Sequence, residues 1–456
     1  MKPEINLELI QKYNRPGPRY TSYPTALKLK KLEDHKSLKK YLSAVQETPG
    51  KISLYFHIPF CQSLCWYCGC TKVISKNHED ADLYLNYLEK EISRVKEVIN
   101  PDSDVVQIHF GGGTPTFLTP GQLRRLGTLI RSNFKVDRHA EFGVEIDPRW
   151  CTEEHIRALA EIGCNRASIG VQDTNEEVQK AIHRIQPVDE TRRVVDCLKN
   201  HGISSINLDL IYGLAKQTPK TFKKTLKDAL ALNPDRLAVY SYAHLPERMP
   251  AQRLLNKDDL PSTSEKLEMM RLAIEFLTSN RYHYIGMDHF SKDGDGLSKA
   301  LRNGSLHRNF QGYSTYAETD LYGFGMSSIS QIGNRVYQNA RELQEYYKRL
   351  DNDEWPVAKA MTLNHDDSIR KDVIMKIMCQ PVVDFAKLSK LWQIDSKEYF
   401  KSEFDRLLQL EDDGLVLTSG NTLIITERGR LFLRNIAMIF DAYLSDSIRI
   451  RYSQTV

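Results

Sequence analysis

Four cysteines lie within a ten-residue stretch, and their spacing is the clearest chemical signal in the sequence. Cys61, Cys65, Cys68 and Cys70 all belong to CQSLCWYCGC. Thiolates at a C-x3-C-x2-C spacing can hold an iron–sulfur cluster from one loop. Zinc sites more often use two separated cysteine pairs, and no second pair follows. We interpret the first three cysteines as ligands of a cubane that leaves one iron open for a small molecule. Structural zinc and redox-active thiols are the alternatives.

The composition is that of an ordinary globular protein. The chain has 456 residues, of which 41% are hydrophobic and 27% charged, and its net charge is +4. Disordered, collagen-like and coiled-coil classes are thereby excluded. The charge is too small to demand a nucleic-acid partner, and no apolar run is long enough for a membrane span. The first residues, MKPEINLELIQKY, lack the apolar core of a signal peptide, so we expect a cytoplasmic protein.

Six β-rich runs alternate with stretches of helical periodicity between residues 51 and 245. The runs are 51–60, 105–110, 140–148, 166–173, 205–214 and 236–245. Their starts are about 37 residues apart, which is one strand and one helix per step and favours a parallel sheet. Six such units are fewer than a closed TIM barrel needs. We therefore predict an α/β fold, a partial open (β/α)6 barrel.

Polar residues cluster at the carboxyl ends of these runs. They are the cysteine loop, GGGTP (111–115), Glu145 and Asp147, Gln172 and Asp173, Asp209, and Tyr242 with His244. Because this is the edge where parallel α/β folds build catalytic sites, the pattern predicts an enzyme. The three glycines would let backbone approach a ligand closely, and Glu145 could accept hydrogen bonds from ribose hydroxyls. The alternatives are a plain tight turn and a surface salt bridge.

Three regions are predicted along the chain. Residues 1–45 contain the irregular, Pro- and Tyr-rich YNRPGPRYTSYPTA and are predicted to form an N-terminal segment that covers the substrate. Residues 46–350 form the barrel and its extension, and residues 351–456 form a mainly helical C-terminal domain. Within that domain we expect helices over 367–378, 384–392, 399–410 and 429–444, with a hairpin turn at Ser419-Gly420-Asn421. This pattern is winged-helix-like. Its basic residues alternate with acids, so a structural or substrate-covering module is favoured over DNA binding.

Two of these motifs together resemble a known superfamily. CQSLCWYCGC, with an aromatic residue before its third cysteine, and the GGGTP run resemble the signatures of radical S-adenosylmethionine (SAM) enzymes. More narrowly, YNRPGPRYTSYPTA, GVQD (170–173), NLDLIYGLAKQTP (207–219), YAHLP (242–246), GMDHF (286–290) and LHRNFQGYSTY (306–316) resemble the oxygen-independent coproporphyrinogen III oxidase family. The resemblance extends over essentially the whole chain.

The resemblance implies an activity in haem biosynthesis. Two propionates of coproporphyrinogen III would be oxidatively decarboxylated to vinyl groups, giving protoporphyrinogen IX. A 5′-deoxyadenosyl radical, formed when SAM is cleaved at one [4Fe-4S] cluster, would begin each decarboxylation. The family binds two SAM molecules, one on the cluster and one beside it. We also expect an electron donor and an electron acceptor that the sequence does not identify, no nucleic-acid or membrane partner, and a monomer.

The resemblance also implies roles for individual residues. Cys61, Cys65 and Cys68 would ligate the cluster, and Cys70 would be required for turnover without being a ligand. The first SAM would be held by Tyr55, Gly112 and Glu145. The second would be surrounded by Tyr67, Gly113, Thr114, Gln172, Arg184, Asp209, Ala243 and Ile329.

Several residues in and around the predicted site have more than one possible role. Arg184 could instead be a solvated charge on a helix, and Cys70 has no defined chemical role. His57 could tune the cluster through a hydrogen bond or be a buried core histidine. Arg19 and Arg308 are candidate cationic partners of the propionates, with surface-loop roles as the alternative.

Two other functions compete with this interpretation. The first is a haem-binding chaperone on the same scaffold. Such relatives typically lack the equivalents of Cys70 and of RYTSYPTA (19–26), and this chain has both. The second is a zinc-stabilised barrel with a DNA-binding winged helix at its C-terminus.

Overall fold

The computed structural model describes residues 3–32, 38–39, 42, 48–317, 319–444 and 452–455. It contains two compact units. The unit that we name the barrel unit comprises Leu29–Lys266 and Glu318–Thr362, and the second unit comprises Met1–Lys28, Leu267–Ala317 and Leu363–Val456. The division at residues 45 and 350 stays a prediction. None of the helices within the described ranges is long and apolar enough to cross a membrane.

All six predicted strands of the barrel unit are present, and each pairs in parallel with the next. They are β1 (Lys51–Ile58), β2 (Asp104–Gly112), β3 (Lys135–Ile146), β4 (Arg166–Gln172), β5 (Ser205–Tyr212) and β6 (Arg236–Ser241). The third strand begins five residues before its predicted start, because its exposed polar half carries no apolar alternation. The sixth ends four residues before its predicted end.

Helices connect these strands, as the periodicity predicts. They are α1 (Glu79–Lys96), α2 (Pro120–Asn133), α3 (Glu153–Glu161), α4 (Glu176–Ala181), α5 (Val188–Asn200) and α6 (Pro219–Ala231). Three of them begin at a threonine, Thr119, Thr152 or Thr218, that forms a capping box with the third helical residue. Such a box satisfies backbone N–H groups that the first helical turn leaves without partners, so these starts are fixed locally.

A seventh parallel strand, β7 (Asp320–Phe324), pairs with the free edge of β1. The segment DLYGF gives no strand signal in the sequence, because it is short and contains a glycine. The antiparallel strands β8 (Ile329–Ile332), β9 (Arg335–Asn339) and β10 (Val357–Thr362) extend the sheet beyond it, ending at Lys30–Lys31. Helix Leu343–Asp351 lies in sequence between β9 and β10. Among the described residues no strand pairing joins β6 to β7, so the barrel is partial and open, as predicted.

The second unit is mainly helical. Its helices are Leu7–Tyr13, Gly296–Asn303, His365–Cys379, Phe385–Trp392, Ser396–Tyr399, Lys401–Asp412 and Leu433–Ala437, and most of Thr263–Ser279 also belongs to it. Its strands form the pairs Tyr282–Gly286 with His289–Lys292 and His307–Asn309 with Gly312–Ser314. A three-stranded sheet of Val382–Asp384, Thr422–Ile425 and Val416–Ser419 stands beside the C-terminal helices. Helices with this small sheet confirm the winged-helix-like prediction.

Two predicted C-terminal helices differ from the structure. The one expected over 399–410 begins only at Lys401, because Phe400 separates it from the short helix Ser396–Tyr399. The one expected over 429–444 is a 3-10 turn, Gly429–Phe432, followed by Leu433–Ala437. The backbone N–H groups of Ile439 and Phe440 donate to carbonyls three residues earlier, so the chain tightens and leaves the α-helical path.

Candidate active site

A short pair of parallel strands frames the cysteine loop. Phe60–Cys61 pairs with Val73–Ile74, so the residues between them form a loop beyond the carboxyl end of β1. Side chains of all four clustered cysteines line one cavity of about 290 Å³. The last residues of β2, β3 and β4 line the same cavity. The loop and the strand ends therefore meet at the edge where the sequence predicts chemistry.

The three predicted cluster ligands have different surroundings. Cys61 Sγ lies 3.3 Å from Thr114 Oγ1, and burial raises the pKa of Cys61 to about 12. Guanidinium nitrogens of Arg149 and Arg184 lie 3.5 and 3.6 Å from Cys65 Sγ. A hydrogen bond from the Cys70 thiol lowers the pKa of Cys68 to about 6.

This donor set fits a thiolate-bound cluster. Three sulfur atoms from one loop face a shared cavity, as a cubane held by three cysteines requires. N–H donors to ligand sulfurs are a recognised means of stabilising thiolate charge and tuning a cluster. Cys65 has two guanidinium donors, and the backbone N–H of Cys70 donates to Cys68 Sγ at 3.4 Å.

The glycine run after β2 brings backbone into the cavity. Gly112 has φ +117°, which favours glycine, and its N–H donates to Glu145 Oε2 at 3.2 Å. A Cβ atom on Gly112 would lie 2.8 Å from the ring of His57. A Cβ atom on Gly113 would lie 2.4 Å from the carbonyl oxygen of Pro59. Close packing against β1 and the cysteine loop therefore requires glycine at both positions, so the turn is more than a generic one.

Polar side chains also stand on the cavity-facing side of β4 and β5. Asp209 accepts hydrogen bonds from Ser168 Oγ and from Asn207 Nδ2, both at 2.8 Å. Burial raises the pKa of Asp209 to about 6. Ser168 and Asp209 line the cavity. A carboxylate with such a pKa can both accept hydrogen bonds from a ligand and hold a proton near neutral pH.

A buried ion-pair cluster closes one side of the cavity. Arg184 Nη1 donates to Asp147 Oδ2 at 2.9 Å, and Arg149 Nη2 donates to the same oxygen at 2.7 Å. Burial works to raise the pKa of Asp147, but the two guanidinium groups outweigh it and hold that pKa below its ordinary value. Arg184 lies in the loop between α4 and α5 and is buried. The alternative role of Arg184 as a solvated helix charge is therefore wrong.

Most of the predicted site residues meet at this cavity. Those that line it are Cys61, Cys65, Tyr67, Cys68, Cys70, Gly112, Gly113, Thr114, Glu145, Gln172, Arg184 and Asp209. Tyr55, Ala243 and Ile329 are not among its lining residues. The Tyr55 ring stacks on His109, the Ala243 carbonyl accepts a hydrogen bond from Gln252, and Ile329 begins β8. The ligand assignments of all these residues stay predictions.

Several residues that line the cavity were not predicted from the sequence as site residues. They include Lys72, Trp150, Ser168 and Tyr240. A signal for Ser168 exists, because strands of parallel sheets are usually apolar on both faces and side chains alternate between those faces. Ser168 shares a face of β4 with Gly170 and Gln172, so a polar residue there indicates a polar barrel interior. Lys72 lies in a loop and Trp150 ends the short 3-10 turn Pro148–Trp150, and no periodicity in the sequence predicts the placement of either residue.

His57 is buried and joins the cysteine loop to the barrel. Its Nε2 lies 3.0 Å from the carbonyl oxygen of Thr71, and its Nδ1 lies 3.1 Å from the Tyr55 hydroxyl. Burial lowers the pKa of His57 to about 4, so the ring is neutral at pH 7. Ser327 Oγ lies 3.4 Å from Nε2. His57 therefore anchors the end of the cysteine loop, and its action on a cluster stays a prediction.

A buried carboxylate, Glu91 on α1, supports the backbone behind His57. Glu91 accepts hydrogen bonds from Gly325 N–H, the Tyr346 hydroxyl and Asn339 Nδ2 at 2.6 to 2.7 Å. Tyr84 donates to the His57 carbonyl at 2.7 Å and accepts from the next residue of the same loop, Met326. Burial raises the pKa of Glu91 from its ordinary 4.5 to about 7, although its three donors oppose the shift.

This shift makes stability pH-dependent. Between pH 4.5 and 7 the folded chain holds the Glu91 proton and the unfolded chain does not. The free energy of unfolding therefore falls as pH rises through this range. We expect Glu91→Gln to remove about 3 kcal/mol of that pH dependence. We also expect it to cost about 1–3 kcal/mol near neutral pH, because an amide cannot accept from all three donors. Denaturant midpoints at pH 5 to 8 measure both effects.

The control is Glu89→Gln, two residues away on the same helix, whose carboxylate is exposed and paired with Arg125. It should change the free energy of unfolding by less than about 1 kcal/mol at every pH. Equal pH slopes for Glu91→Gln and wild type would contradict the assignment of the raised pKa to Glu91.

Comparison with known proteins agrees with this geometry. Residues 55–229 match the radical SAM superfamily. The oxygen-independent coproporphyrinogen III oxidase of Salmonella typhimurium is 45% identical over 447 residues, covering 98% of this chain and 97% of that protein. The corresponding enzyme of Pseudomonas aeruginosa is 43% identical and covers 98% of each chain.

A solved structure agrees as closely. The coproporphyrinogen III oxidase of Escherichia coli, described as a radical SAM enzyme, superposes with a TM-score of 0.93 at 41% identity. The match covers 97% of this chain and 100% of that structure. Sequence similarity over nearly the full length, the superposed fold and the cysteine loop at the barrel edge all support the same family. This chain belongs to the oxygen-independent coproporphyrinogen III oxidase family of radical SAM enzymes.

Proposed function

We propose that this enzyme oxidatively decarboxylates two propionates of coproporphyrinogen III to vinyl groups, giving protoporphyrinogen IX in haem biosynthesis. The relatives' name supplies the substrate. The single observation that carries the proposal for this chain is the cavity that unites three cysteines of one loop with Gly112 and Glu145. Membership of the radical SAM superfamily implies SAM and a [4Fe-4S] cluster. When bound, these two groups supply a 5′-deoxyadenosyl radical that removes hydrogen from the propionate.

We propose that the cavity residues divide between the cluster and two SAM molecules. Cys61, Cys65 and Cys68 would ligate three irons and leave the fourth for a first SAM. Gly112, whose backbone enters the cavity, and Glu145 would hold that SAM, together with Tyr55. The geometry supports this division, because Glu145 already accepts the Gly112 N–H and lies on the rim of the same cavity.

The second SAM would lie toward β4 and β5. Its proposed neighbours are Tyr67, Gly113, Thr114, Gln172, Arg184, Asp209, Ala243 and Ile329. The buried guanidinium of Arg184 can bind a carboxylate, such as that of the methionine part of SAM. Asp209 can accept hydrogen bonds from hydroxyl groups, such as those of the ribose. Arg184 already pairs with Asp147, and an incoming carboxylate would share its donors.

We further propose that the enzyme works as a monomer with one external electron donor and one external electron acceptor. That residues 1–45 cover the substrate stays a prediction. The cytoplasmic location stays one as well. The winged-helix-like region has no proposed nucleic-acid role, because its charges alternate in sign along the sequence.

The test of the proposed function is an anaerobic assay. Cluster-loaded protein is incubated with SAM, a low-potential reductant, an electron acceptor and coproporphyrinogen III, and the tetrapyrroles are separated by mass. We expect protoporphyrinogen IX together with 5′-deoxyadenosine. Stoichiometric haem binding without any vinyl product would instead support the chaperone function and overturn the proposal.

Cys70 provides a separate prediction. Its thiol donates to Cys68, and this hydrogen bond together with the charge of the Cys68 thiolate raises the pKa of Cys70 well above its ordinary value. We expect Cys70→Ser to retain the cluster but to lower kcat by about tenfold or more, because a hydroxyl cannot replace the thiol in turnover. Iron content and product formation measure the two effects separately. The control is Cys197→Ser, a partly exposed cysteine on α5, which should change neither. Full activity of Cys70→Ser would contradict this role.

A further inference from the structure

Arg308 in the second unit is a buried cation without a counter-charge. Only 3% of its surface is exposed. Its Nε and Nη1 atoms are buried and have no hydrogen-bond partner among the described residues. No carboxylate within those residues lies within ion-pair distance of its guanidinium. A buried charge in this state costs several kcal/mol of stability, so its retention calls for an explanation.

The surroundings of Arg308 hold it in place without neutralising it. Arg308 lies on the strand His307–Asn309, opposite Tyr313 in the paired strand. Its guanidinium carbon lies 4.7 Å from the centre of the Tyr313 ring, so the cation stacks on an aromatic face. The Tyr313 hydroxyl donates to the Met378 carbonyl at 2.8 Å, which fixes that ring. The guanidinium is therefore oriented by packing and keeps its N–H donors for something else.

Other cations lie near Arg308, because Arg308 and Arg430 both act on the charge of Tyr313 and Arg308 acts on that of Arg434. Arg430 has a buried Nη1 without a hydrogen-bond partner among the described residues, while its Nη2 donates to the Tyr284 carbonyl at 2.6 Å. Burial lowers the pKa of Arg434 to about 9, and the charges of Arg19 and Arg308 contribute to that shift. The nearby carboxylate, Asp288, is paired with Arg19. The cluster thus has a surplus of cations and would attract an anion.

We infer that Arg308 and Arg430 form a carboxylate-binding site and that Arg308 receives a propionate of the tetrapyrrole substrate. The identity of the anion rests on the proposed function, whereas the need for an anion rests on the buried guanidinium itself. A planar guanidinium with unused donors matches a carboxylate in a bidentate geometry. Of the two arginines that the sequence analysis put forward, Arg19 already has its carboxylate and Arg308 does not.

The first test compares binding and stability in the full-length protein. The ligand is coproporphyrin III, the stable tetracarboxylate analogue, and its tetramethyl ester serves as the uncharged comparison. We expect Arg308→Met to weaken coproporphyrin III binding about tenfold or more and to abolish the preference for the acid over the ester. Arg308→Lys should retain part of that preference, because it keeps the charge but loses the planar fork.

Thermal melting supplies a readout that a structural role would not give. Without ligand, Arg308→Met should melt about 1–3 °C higher than wild type, because it removes a buried charge that lacks a partner. The control is Arg302→Met, an exposed arginine paired with Asp293 in the same unit, which should leave coproporphyrin III binding unchanged. A lower melting temperature with unchanged coproporphyrin III affinity would show a structural role and overturn the inference.

Three further outcomes distinguish the possible sources of the carboxylate and separate this inference from the proposed function. If Arg308→Met weakens SAM binding and leaves coproporphyrin III binding intact, the carboxylate is that of methionine and the propionate assignment is overturned. If wild type forms no vinyl product but Arg308→Met still weakens coproporphyrin III binding, the proposed function fails and the anion site stands. If wild type forms the product and Arg308→Met has the same KM, the site fails and the proposed function stands.

Discussion

Replacing Cys61, Cys65 or Cys68 by serine is expected to eliminate both the cluster and the activity. All three cysteines line the same cavity, and as proposed ligands they would supply three thiolates to a cubane that would need all of them. A serine hydroxyl is a poor substitute for a thiolate on iron, so we expect iron content to fall to a small fraction of that of wild type. Product formation should fall below detection. Iron and sulfide analysis of anaerobically reconstituted variants measures the first effect, and the anaerobic assay measures the second.

The matched control for this set is Cys164→Ala. Cys164 is buried in the barrel unit, and its thiol donates to the Phe142 carbonyl at 3.3 Å, away from the cavity. Its loss should lower stability modestly and leave the iron content unchanged. Circular dichroism of the serine variants should match that of the wild-type apoprotein, which shows that lost iron reflects lost ligands. A variant of any of the three ligands that keeps a full cluster would contradict the ligand set.

Gly113→Ala is expected to have the second-largest effect. A Cβ atom at this position would lie 2.4 Å from the Pro59 carbonyl oxygen and 2.9 Å from that of Phe60. Both contacts are with backbone, which cannot rotate away as a side chain can. The strands are also tied together there, because Gly113 N–H donates to the Ile58 carbonyl at 2.8 Å. We expect a loss of at least about 2–3 kcal/mol of stability from overpacking.

The same substitution should also displace the cysteine loop. Phe60 leads directly into Cys61, so any shift that relieves the clash also moves this proposed cluster ligand. We therefore expect reduced iron content in addition to the lower denaturant midpoint. Gly121→Ala is the control, because nothing lies within 4 Å of a Cβ atom there and the position is in the first turn of α2. It should be neutral or stabilise by up to about 1 kcal/mol. Equal midpoints for the two variants would contradict the close packing at Gly113.

The parts of the fold and site that were predictable are those with local signals. The six strands followed from alternation, and the helices between them followed from apolar residues that recur at three and four positions. The cysteine loop and the glycine run could be located because their residue types and spacing state the chemistry directly. Strand order then places both motifs at the same edge of the sheet.

The missed parts depend on tertiary placement. β7 lacks alternation and is a strand because β1 offers it an unpaired edge. The sequence around Arg184 has helical periodicity, yet the residue lies in a loop where Asp147, distant in sequence, compensates its charge. The last predicted helix fails because its segment is buried on nearly every side, so packing and not periodicity decides its path. In each case the deciding interaction joins residues that are far apart in the sequence.

We propose that three thiolates hold a cluster whose remaining iron binds SAM. The most direct test is iron and sulfide analysis of anaerobically purified protein, combined with electron paramagnetic resonance of the reduced protein with and without SAM. We predict about four irons with equal sulfide per chain, and a spectrum that changes when SAM is added. A colourless protein with about one zinc and no sulfide, or a cluster spectrum that SAM leaves unchanged, would contradict the account.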